Sequence, residues 1–213
     1  MLLTEVQFTV EEYFDLCERL EAVTDVKLEY YGGVIYPLFS NEPIDTLDIN
    51  ELKYILEQIR TPKPAHATIG ANLIGSFWQL SNDNEDYKVY DAGLQVLVNL
   101  FDSYVHPDVT VSKKEEEVFE KDSLTNPLLV IEVLSDSTES RDRKEKLEAY
   151  QSIPSLEEYL MIAQDRTHVE HYVRSGKGWF YYSYKKIEEV IDFQSVPLSL
   201  PLKKMYRNVV FEK

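Results

Sequence analysis

Asp108 and Glu132 are the two residues whose types and positions suggest chemistry most directly. Asp108 follows Pro107, and Glu132 is the one charged residue in the apolar run 128–134. A run of this length and composition is typical of a strand that is buried on both faces. A carboxylate in such a strand is destabilising by roughly several kcal/mol unless it is paired or binds a metal. Glu132 therefore needs a partner, and the identity of that partner is the best guide to function.

Three further polar residues recur at every fourth position after this run. Asp142, Lys146 and Tyr150 lie in residues 137–152, which the pattern predicts to be a helix, so they share one face. Two carboxylates on neighbouring strands are what Mg²⁺ or Mn²⁺ takes from a protein, because these ions prefer oxygen ligands. The backbone carbonyl of Val133 is a further candidate ligand. A nearby lysine could stabilise developing negative charge or orient an attacking water, so the combination predicts a metal-dependent phosphodiesterase.

Each of these residues also has a purely structural explanation. Asp108 could serve only to shape a turn after Pro107, and Glu132 could pair with a buried lysine or arginine. Asp142 and Lys146 have the spacing of an ordinary ion pair on a helix surface, which is worth about 0.2–0.5 kcal/mol. The sequence leaves these alternatives open. The enzymatic interpretation requires that Asp108, Glu132 and Lys146 converge in one cleft.

The elements that must position these residues alternate between helices and strands. Helical spacing predicts helices over residues 9–22, 49–59, 65–80 and 137–152. Apolar patterns predict strands over residues 27–36, 87–100, 105–112, 128–134, 158–163, 167–174 and 179–184. Residues 38–64 are predicted to be a surface insertion, and residues 187–213 a C-terminal strand extension. This order predicts a single α/β (α+β) domain over residues 1–213, with a central mixed β-sheet flanked by helices and an extra C-terminal β-hairpin.

Composition restricts the class of protein. The chain has 213 residues and a formal net charge of −16, so attraction of nucleic acid to the molecule as a whole is unfavourable. The single cysteine, Cys17, excludes an internal disulfide and fits a reducing compartment. The N-terminus lacks a signal-peptide pattern, and no run approaches the ~18 apolar residues of a membrane span. We therefore predict a cytoplasmic protein without membrane contact.

Several stretches of the chain carry a family resemblance. They are Pro107-Asp108-Val109, the run Val-Ile-Glu-Val-Leu-Ser-Asp-Ser-Thr over 130–138, Asp142-Arg143 with Lys146 and Tyr150, and Ile-Pro-Ser-Leu-Glu-Glu-Tyr-Leu over 153–160. Together they resemble the Uma-two family of restriction-endonuclease-like proteins, in the PD-(D/E)XK nuclease superfamily. The turn over residues 29–33 and His66 are similar to the N-terminal half of that family.

The resemblance implies a restriction-endonuclease-like core and a Mg²⁺- or Mn²⁺-dependent DNA endonuclease that forms a homodimer. Asp108 then corresponds to the aspartate of the "PD" element and Glu132 to the acidic residue of "(D/E)XK". Leu134 occupies the strand position that holds lysine elsewhere in the superfamily, and Lys146 from the following helix supplies that group instead. Glu29 is a further candidate metal ligand.

The resemblance also implies supporting roles around these catalytic residues. Asp142 and Tyr150 would position Lys146, Arg143 would contact phosphate or brace the helix, and His66 would support the site. The basic residues available for DNA contact are Lys113, Lys114, Arg141, Arg143, Lys144, Lys146, Lys203, Lys204 and Arg207.

Two other functions remain open from the sequence. One is a catalytically inactive nuclease-fold module that acts in protein interaction or dimerisation, which the acidic charge and the aromatic hairpin at 172–184 favour. The other is nucleic-acid binding without cleavage.

Overall fold

The secondary structure alternates between helices and strands as the sequence predicts. The computed structural model describes residues 6–57 and 63–211. The helices are α1 (Val10–Glu21), α2 (Ile49–Glu57), α3 (Pro64–Asp83), α4 (Glu139–Arg141), α5 (Leu147–Ser152) and α6 (Leu202–Met205). A π-helical turn, Asp142–Lys146, joins α4 directly to α5. Short 3-10 turns cover Asn99–Phe101 and Lys114–Glu116.

The strands form two six-stranded sheets and one two-stranded sheet. In chain order they are β1 (Leu28–Tyr31), β2 (Val34–Pro37), β3 (Tyr87–Asp91), β4 (Val96–Val98), β5 (Ser103–Val105), β6 (Val109–Lys113), β7 (Phe119–Glu120), β8 (Ser123–Leu124), β9 (Leu129–Leu134), β10 (Glu158–Ala163), β11 (Val169–Ser175), β12 (Gly178–Tyr184), β13 (Val190–Asp192) and β14 (Ser199–Pro201). The first sheet has the order β2-β1-β5-β4-β8-β7, the second β12-β11-β10-β9-β6-β3, and β13 pairs with β14. Both large sheets are mixed, since β9 is parallel to β10 and β4 is parallel to β8.

The strand β9 is one of the two central strands of the second sheet and is buried along its whole length. Its Ile131 and Val133 belong to the apolar cluster that includes residues of α3 such as Leu73. Its Val130 and Leu134 belong to a different cluster, which contains Tyr150 and other residues of α5. Alternation along the strand puts Glu132 on the same face as Val130 and Leu134. The carboxylate of Glu132 therefore points toward the helical segment that follows β9.

The N-terminal part of the chain builds a separate cluster on the first sheet. Thr9 and Glu12 form a reciprocal capping box at the start of α1, as the sequence predicts. Between β1 and β2, Gly32 and Gly33 have φ values of 55° and 97°, which glycine adopts without strain in a tight hairpin turn. The predicted surface insertion over 38–64 is not confined to the surface, because its Ile44, Leu52 and Leu56 are buried with α1 and β1.

Some element boundaries differ from the predictions. The helix predicted over 65–80 continues to Asp83. The strand predicted over 105–112 is broken at residues 106–108, since Pro107 has no N–H for a ladder hydrogen bond. The predicted C-terminal extension contains α6 as well as two strands. Residues 58–62, which include the end of the helix predicted over 49–59, lie outside the described residues. No helix in the described part of the chain is long and apolar enough to cross a membrane.

The C-terminal segment is anchored to the second sheet by a buried carboxylate. Glu158 of β10 lies 2.5 Å from His171 of β11 and accepts hydrogen bonds from the backbone N–H groups of Gln194 and Ser195, at 2.7 and 2.5 Å. Burial opposes ionisation of Glu158, but the bonds from His171 and Ser195 outweigh it and lower its pKa. The ionised carboxylate therefore stabilises the folded state.

This anchor predicts a specific loss of stability in acid. Because the pKa of Glu158 is lower in the folded chain than in the unfolded chain, its contribution is present above the ordinary glutamate pKa of about 4.3. The contribution is lost as the pH falls through the folded-state value. We expect Glu158→Gln to lower the free energy of unfolding by about 1–3 kcal/mol at pH 7, and the difference from wild type to close in acid. Urea unfolding across this pH range measures it. Glu157→Gln, at the exposed neighbouring position, is the control. A difference in the free energy of unfolding between Glu158→Gln and wild type that does not change with pH would contradict the assignment.

Candidate active site

The two predicted acidic residues meet at one end of the β6–β9 pair. The antiparallel register pairs Val109 with Ile131, so Asp108 and Glu132 each lie one residue beyond this pair, at the same end. Asp108 Oδ2 accepts a 2.7 Å hydrogen bond from the backbone N–H of Val133. Asp108 therefore does more than shape the turn after Pro107, because its side chain is fixed against the strand that carries Glu132.

Glu132 has two donors, and both come from the helical segment after β9. Lys146 Nζ lies 3.0 Å from Glu132 Oε1, and the Tyr150 hydroxyl donates to the same oxygen at 2.8 Å. Both bonds are made to Oε1, so neither uses Oε2. The contacts to Asp108 divide similarly, since the Val133 N–H and His66 Nε2, at 3.5 Å, both approach Oδ2. Each carboxylate thus keeps an oxygen that these contacts do not use.

Lys146 lies among carboxylates that come from three different elements. Its Nζ is 3.0 Å from Glu29 on β1, 3.0 Å from Glu132 on β9 and 3.4 Å from Asp142 on the π-helical turn. Glu29 is also bound at 2.6 Å by Arg141, and its Oε1 accepts the backbone N–H of His106 at 3.0 Å. The site therefore joins the two large sheets through the helical segment.

The π-helical turn explains how one short segment supplies so many inward-facing side chains. Asp142–Lys146 is wound more widely than an α-helix, and Arg141, Asp142, Lys146 and Tyr150 are all buried. The i, i+4 spacing of Asp142 and Lys146 is thus not an ion pair on a helix surface. Single π turns within helices are frequently found at functional sites.

Carboxylates outnumber cations in the site, and this imbalance affects the pKa of each carboxyl group. Burial opposes ionisation of Glu29, but Lys146 and Arg141 outweigh it and lower its pKa to about 2. Burial raises the pKa of Glu132 to about 8, because Lys146 is offset by the carboxylates of Asp142, Asp108 and Glu29. One ammonium cannot neutralise every carboxylate around it, and Glu29 has a second cationic partner in Arg141.

The remaining groups of the site follow the same pattern. Burial raises the pKa of Asp108 against the opposing effect of His66, and burial raises that of Asp142 against Lys146. The pKa of Lys146 is raised despite its burial, since Glu132 and Glu29 hold its charge. The site therefore has an excess of carboxylate groups over cations, which favours the uptake of protons or of another cation.

The site opens toward solvent on the side of Asp108 and His66. The side chain of Asp108 is 15% exposed and that of His66 is 8% exposed, whereas those of Lys146 and Glu132 are 4% and 5% exposed. Both Asp108 and His66 line a cavity of about 850 Å³. Among the described residues, the site is therefore more accessible from the Asp108 side than from the Lys146 side.

Some predicted residues lie apart from this cluster. Arg143 pairs with Glu139 at 2.7 Å and with Glu170 of β11, so it braces the helical segment against the second sheet. Two of the basic residues considered for DNA contact, Arg141 and Lys146, are buried in ion pairs rather than displayed on the surface. The predicted roles of Arg143 in phosphate binding and of the Val133 carbonyl stay predictions.

The sequence did not predict two of the groups that contribute to the site. Arg141 was considered only as a basic surface residue, yet it is buried, binds Glu29 and also donates to the carbonyl of Ser40 at 3.0 Å. The backbone of His106 also binds Glu29. An arginine in a charged helix gives no local indication of burial. The observation that could have found it is that Glu29, in a strand of apolar and aromatic residues, needed a cationic partner.

The donor chemistry of the site fits a divalent cation of the Mg²⁺ type. Asp108 Oδ1 and Glu132 Oε2 take no part in the contacts described above, and Asp142 Oδ1 accepts no hydrogen bond within the described residues, although Lys146 Nζ lies 3.4 Å from it. Within residues 6–57 and 63–211, no three His, Cys, Asp or Glu side chains are grouped as a ready metal site. Mg²⁺ commonly takes only one or two carboxylates from the protein and keeps its waters, so two suffice.

Comparisons with known proteins agree with the motifs. The Uma2 family model, described as "Putative restriction endonuclease", matches residues 50–203. An uncharacterized protein of Synechocystis, slr1290, is 28% identical over 130 residues, which cover 61% of this chain and 68% of that protein. Another uncharacterized Synechocystis protein, sll1609, is 35% identical over 95 residues, which cover 44% of this chain and 54% of that protein.

A solved structure shares the fold. It is the crystal structure of "a putative nuclease belonging to DUF820" from Anabaena variabilis, with a TM-score of 0.63 and 16% sequence identity. The match covers 92% of this chain and 98% of that one. The predicted α/β fold with mixed sheets flanked by helices is confirmed. The family match over residues 50–203 spans more than half of the chain, and the chain therefore belongs to the Uma2 family.

Proposed function

We propose that this protein is a Mg²⁺- or Mn²⁺-dependent endonuclease that hydrolyses phosphodiester bonds in DNA. The observation that carries the proposal is the meeting of Asp108 and Glu132 at one end of the β6–β9 pair, with Lys146 bonded to Glu132. Membership of a family described as "Putative restriction endonuclease" supports the same reaction class. The oxygen of a water bonds to phosphorus as the bond between phosphorus and the leaving oxygen breaks, and a proton from the water passes to the leaving oxygen.

The residues divide this work by position and charge. Asp108 and Glu132 would hold the cation, with Asp142 beside them and Glu29 farther along the Lys146 side. When bound, the cation would lower the pKa of a water and draw negative charge from the phosphate. Lys146 stabilises the charge that develops on the phosphate oxygens or orients the water. Tyr150 fixes Glu132 through its 2.8 Å hydrogen bond, and so holds one oxygen of that carboxylate in place.

The direct test is cleavage of DNA by the purified protein. Supercoiled plasmid and circular single-stranded DNA are incubated with the protein in Mg²⁺, in Mn²⁺ and in EDTA, and nicked or linear products are followed on gels. We expect products with either cation and none in EDTA. Cleavage that persists in Glu132→Ala would contradict the proposal, as would the absence of cleavage under every condition.

We also propose that two copies of the chain pair through β12. This strand is the edge of the second sheet, and its residues from Gly178 to Tyr184 carry no charge. Phe180 and Tyr181 on it are 57% and 52% exposed. Natural proteins usually protect such an edge with charges, prolines or bulges, and a second copy presents the same edge for isologous pairing.

Sedimentation velocity tests the pairing of β12. We expect wild type to sediment as a dimer and Tyr181→Lys as a monomer, because a charge on the edge strand blocks pairing. Tyr54→Lys, at an exposed position on α2, should remain dimeric. A dimer that survives Tyr181→Lys, or a monomeric wild type, would rule out this interface.

We also propose that the protein is cytoplasmic, because its single cysteine, Cys17, is free, as is usual in a reducing compartment.

A further inference from the structure

An apolar cavity adjoins the candidate active site. Its volume is about 850 Å³, within the range of small-molecule pockets. Asp108 and His66 lie in its wall together with apolar residues that include Phe39, Leu56 and Ile74. The catalytic machinery proposed above uses Asp108 from this wall but does not account for a space of this size or for its apolar character.

Phe39 is held in this wall in a strained backbone conformation. Its φ is 68°, in the left-handed region that bulky residues rarely adopt, and such strain clusters at functional sites. Neighbouring hydrogen bonds hold the segment in place, since the Leu38 N–H donates to the Lys27 carbonyl at 2.8 Å and Arg141 binds the Ser40 carbonyl at 3.0 Å. The ring of Phe39 meets the ring of His66 edge-on, with centroids 5.5 Å apart and planes at 90°.

The charges around the cavity argue against recognition through phosphates. The wall includes Asp25, Asp91 and Asp108, and Lys27 as a basic side chain. The ammonium of Lys27 is already bound to the carbonyls of Ala92 and Gly93, each at 3.1 Å. Duplex DNA is bound largely by cations that neutralise its phosphates, whereas single strands are also bound by stacking of bases on aromatic rings.

We propose that this cavity receives an unpaired nucleobase of the substrate strand, which stacks on Phe39 beside the phosphate held near Asp108. This inference rests on the proposed function and specifies its substrate class as single-stranded DNA, or duplex DNA at positions where a base is unpaired. A base inside an intact duplex reaches such a pocket only if it is extruded, which requires unstacking and unpairing. Stacking of the base on Phe39 then contributes binding free energy that an acidic surface does not gain from contacts with phosphates.

Binding in the absence of divalent ions tests this inference separately from cleavage. Fluorescence anisotropy with a short single-stranded oligonucleotide in EDTA gives the Kd of wild type, Phe39→Gly and Phe39→Trp. Glycine suits the positive φ and removes the ring, so this variant is expected to fold, which thermal unfolding checks. We expect Phe39→Gly to weaken binding about 5- to 150-fold, the usual effect of losing one stacking ring, and Phe39→Trp to bind within a few-fold of wild type.

Two controls make the result specific. Trp78→Ala removes an exposed aromatic ring that lies outside the cavity wall, and it should leave the Kd unchanged. An oligonucleotide of abasic sites, with the same phosphates, should bind wild type as weakly as the normal oligonucleotide binds Phe39→Gly.

The outcomes distinguish this inference from the proposed function. If binding depends on the ring of Phe39 but the protein cleaves no DNA, the base pocket is supported and the proposed endonuclease activity is contradicted. Metal-dependent cleavage together with equal Kd values for wild type and Phe39→Gly would overturn the base pocket and leave the endonuclease intact. Equal binding of normal and abasic oligonucleotides, or no binding of single strands, would also overturn it.

Discussion

Replacing Glu132 by glutamine is expected to lower the rate of DNA cleavage by about a hundredfold or more. Charge stabilisation by a bound cation is worth roughly several kcal/mol in a transition state, and about 1.4 kcal/mol corresponds to a factor of ten in rate. Glutamine keeps the shape of the side chain and an oxygen that can accept from Lys146 and Tyr150, but it is a poor ligand for Mg²⁺. Initial rates of plasmid nicking at saturating Mn²⁺ measure the effect.

The same substitution should leave the fold intact, which separates catalysis from stability. Glutamine removes one negative charge from a cluster in which the carboxylates of Glu29, Glu132 and Asp142 surround the ammonium of Lys146, so the lost ion pair is offset by weaker repulsion between carboxylates. We expect its free energy of unfolding to differ from wild type by less than about 1.5 kcal/mol. Glu148→Gln, at an exposed position on α5, is the control for both assays. A Glu132→Gln protein that cleaves at the wild-type rate would exclude Glu132 from the reaction.

Replacing Arg141 by methionine is expected to lower the free energy of unfolding by about 3–5 kcal/mol, the usual result of removing one partner from a buried ion pair. The guanidinium lies 2.6 Å from Glu29 Oε2, and both side chains are almost fully buried. It also donates to the Ser40 carbonyl and lies 4.4 Å from the ring centroid of Tyr36. Methionine fills much of the volume but leaves the Glu29 carboxylate with Lys146 as its remaining cation.

A nearby arginine provides a matched control for this prediction. Arg143 pairs with Glu139 and Glu170, but its side chain is 27% exposed, so Arg143→Met should change stability by less than about 1 kcal/mol. Urea unfolding of the two variants compares them directly. The double variant Glu29→Gln with Arg141→Met should recover part of the loss, because it removes the uncompensated charge. Equal effects of Arg141→Met and Arg143→Met would contradict the buried ion pair.

The partners of Glu132 were predictable because local patterns carry the information. A carboxylate in an otherwise apolar strand needs a cationic or hydrogen-bonding partner. The four-residue spacing of Asp142, Lys146 and Tyr150 places these three side chains on one face of the helix that follows. In the structure Lys146 and Tyr150 bond to Glu132, and Asp142 contacts Lys146. The position of Asp108 beside the same strand end follows from its place at the start of the neighbouring strand.

Other parts of the site depend on contacts that no local pattern contains. Arg141 is buried because Glu29 approaches from the first sheet, and the two residues are 112 positions apart in the chain. The π-helical turn over Asp142–Lys146 cannot be distinguished from an α-helix by apolar spacing. Phe39 has its positive φ at the third position of a turn that the Ser40 N–H closes on the Pro37 carbonyl at 3.0 Å, and the bond from Arg141 to the Ser40 carbonyl then ties this turn to a distant part of the sequence.

The binding of a divalent cation is the most direct test, because Asp108 and Glu132 are its proposed protein ligands. Isothermal titration calorimetry with Mn²⁺ compares wild type, Asp108→Asn, Glu132→Gln and the control Glu148→Gln. We predict that wild type and Glu148→Gln bind the ion with the same affinity, and that Asp108→Asn and Glu132→Gln each weaken it at least about tenfold, as expected when a carboxylate ligand is lost. Equal affinity in all proteins, or no binding by wild type, would contradict the account.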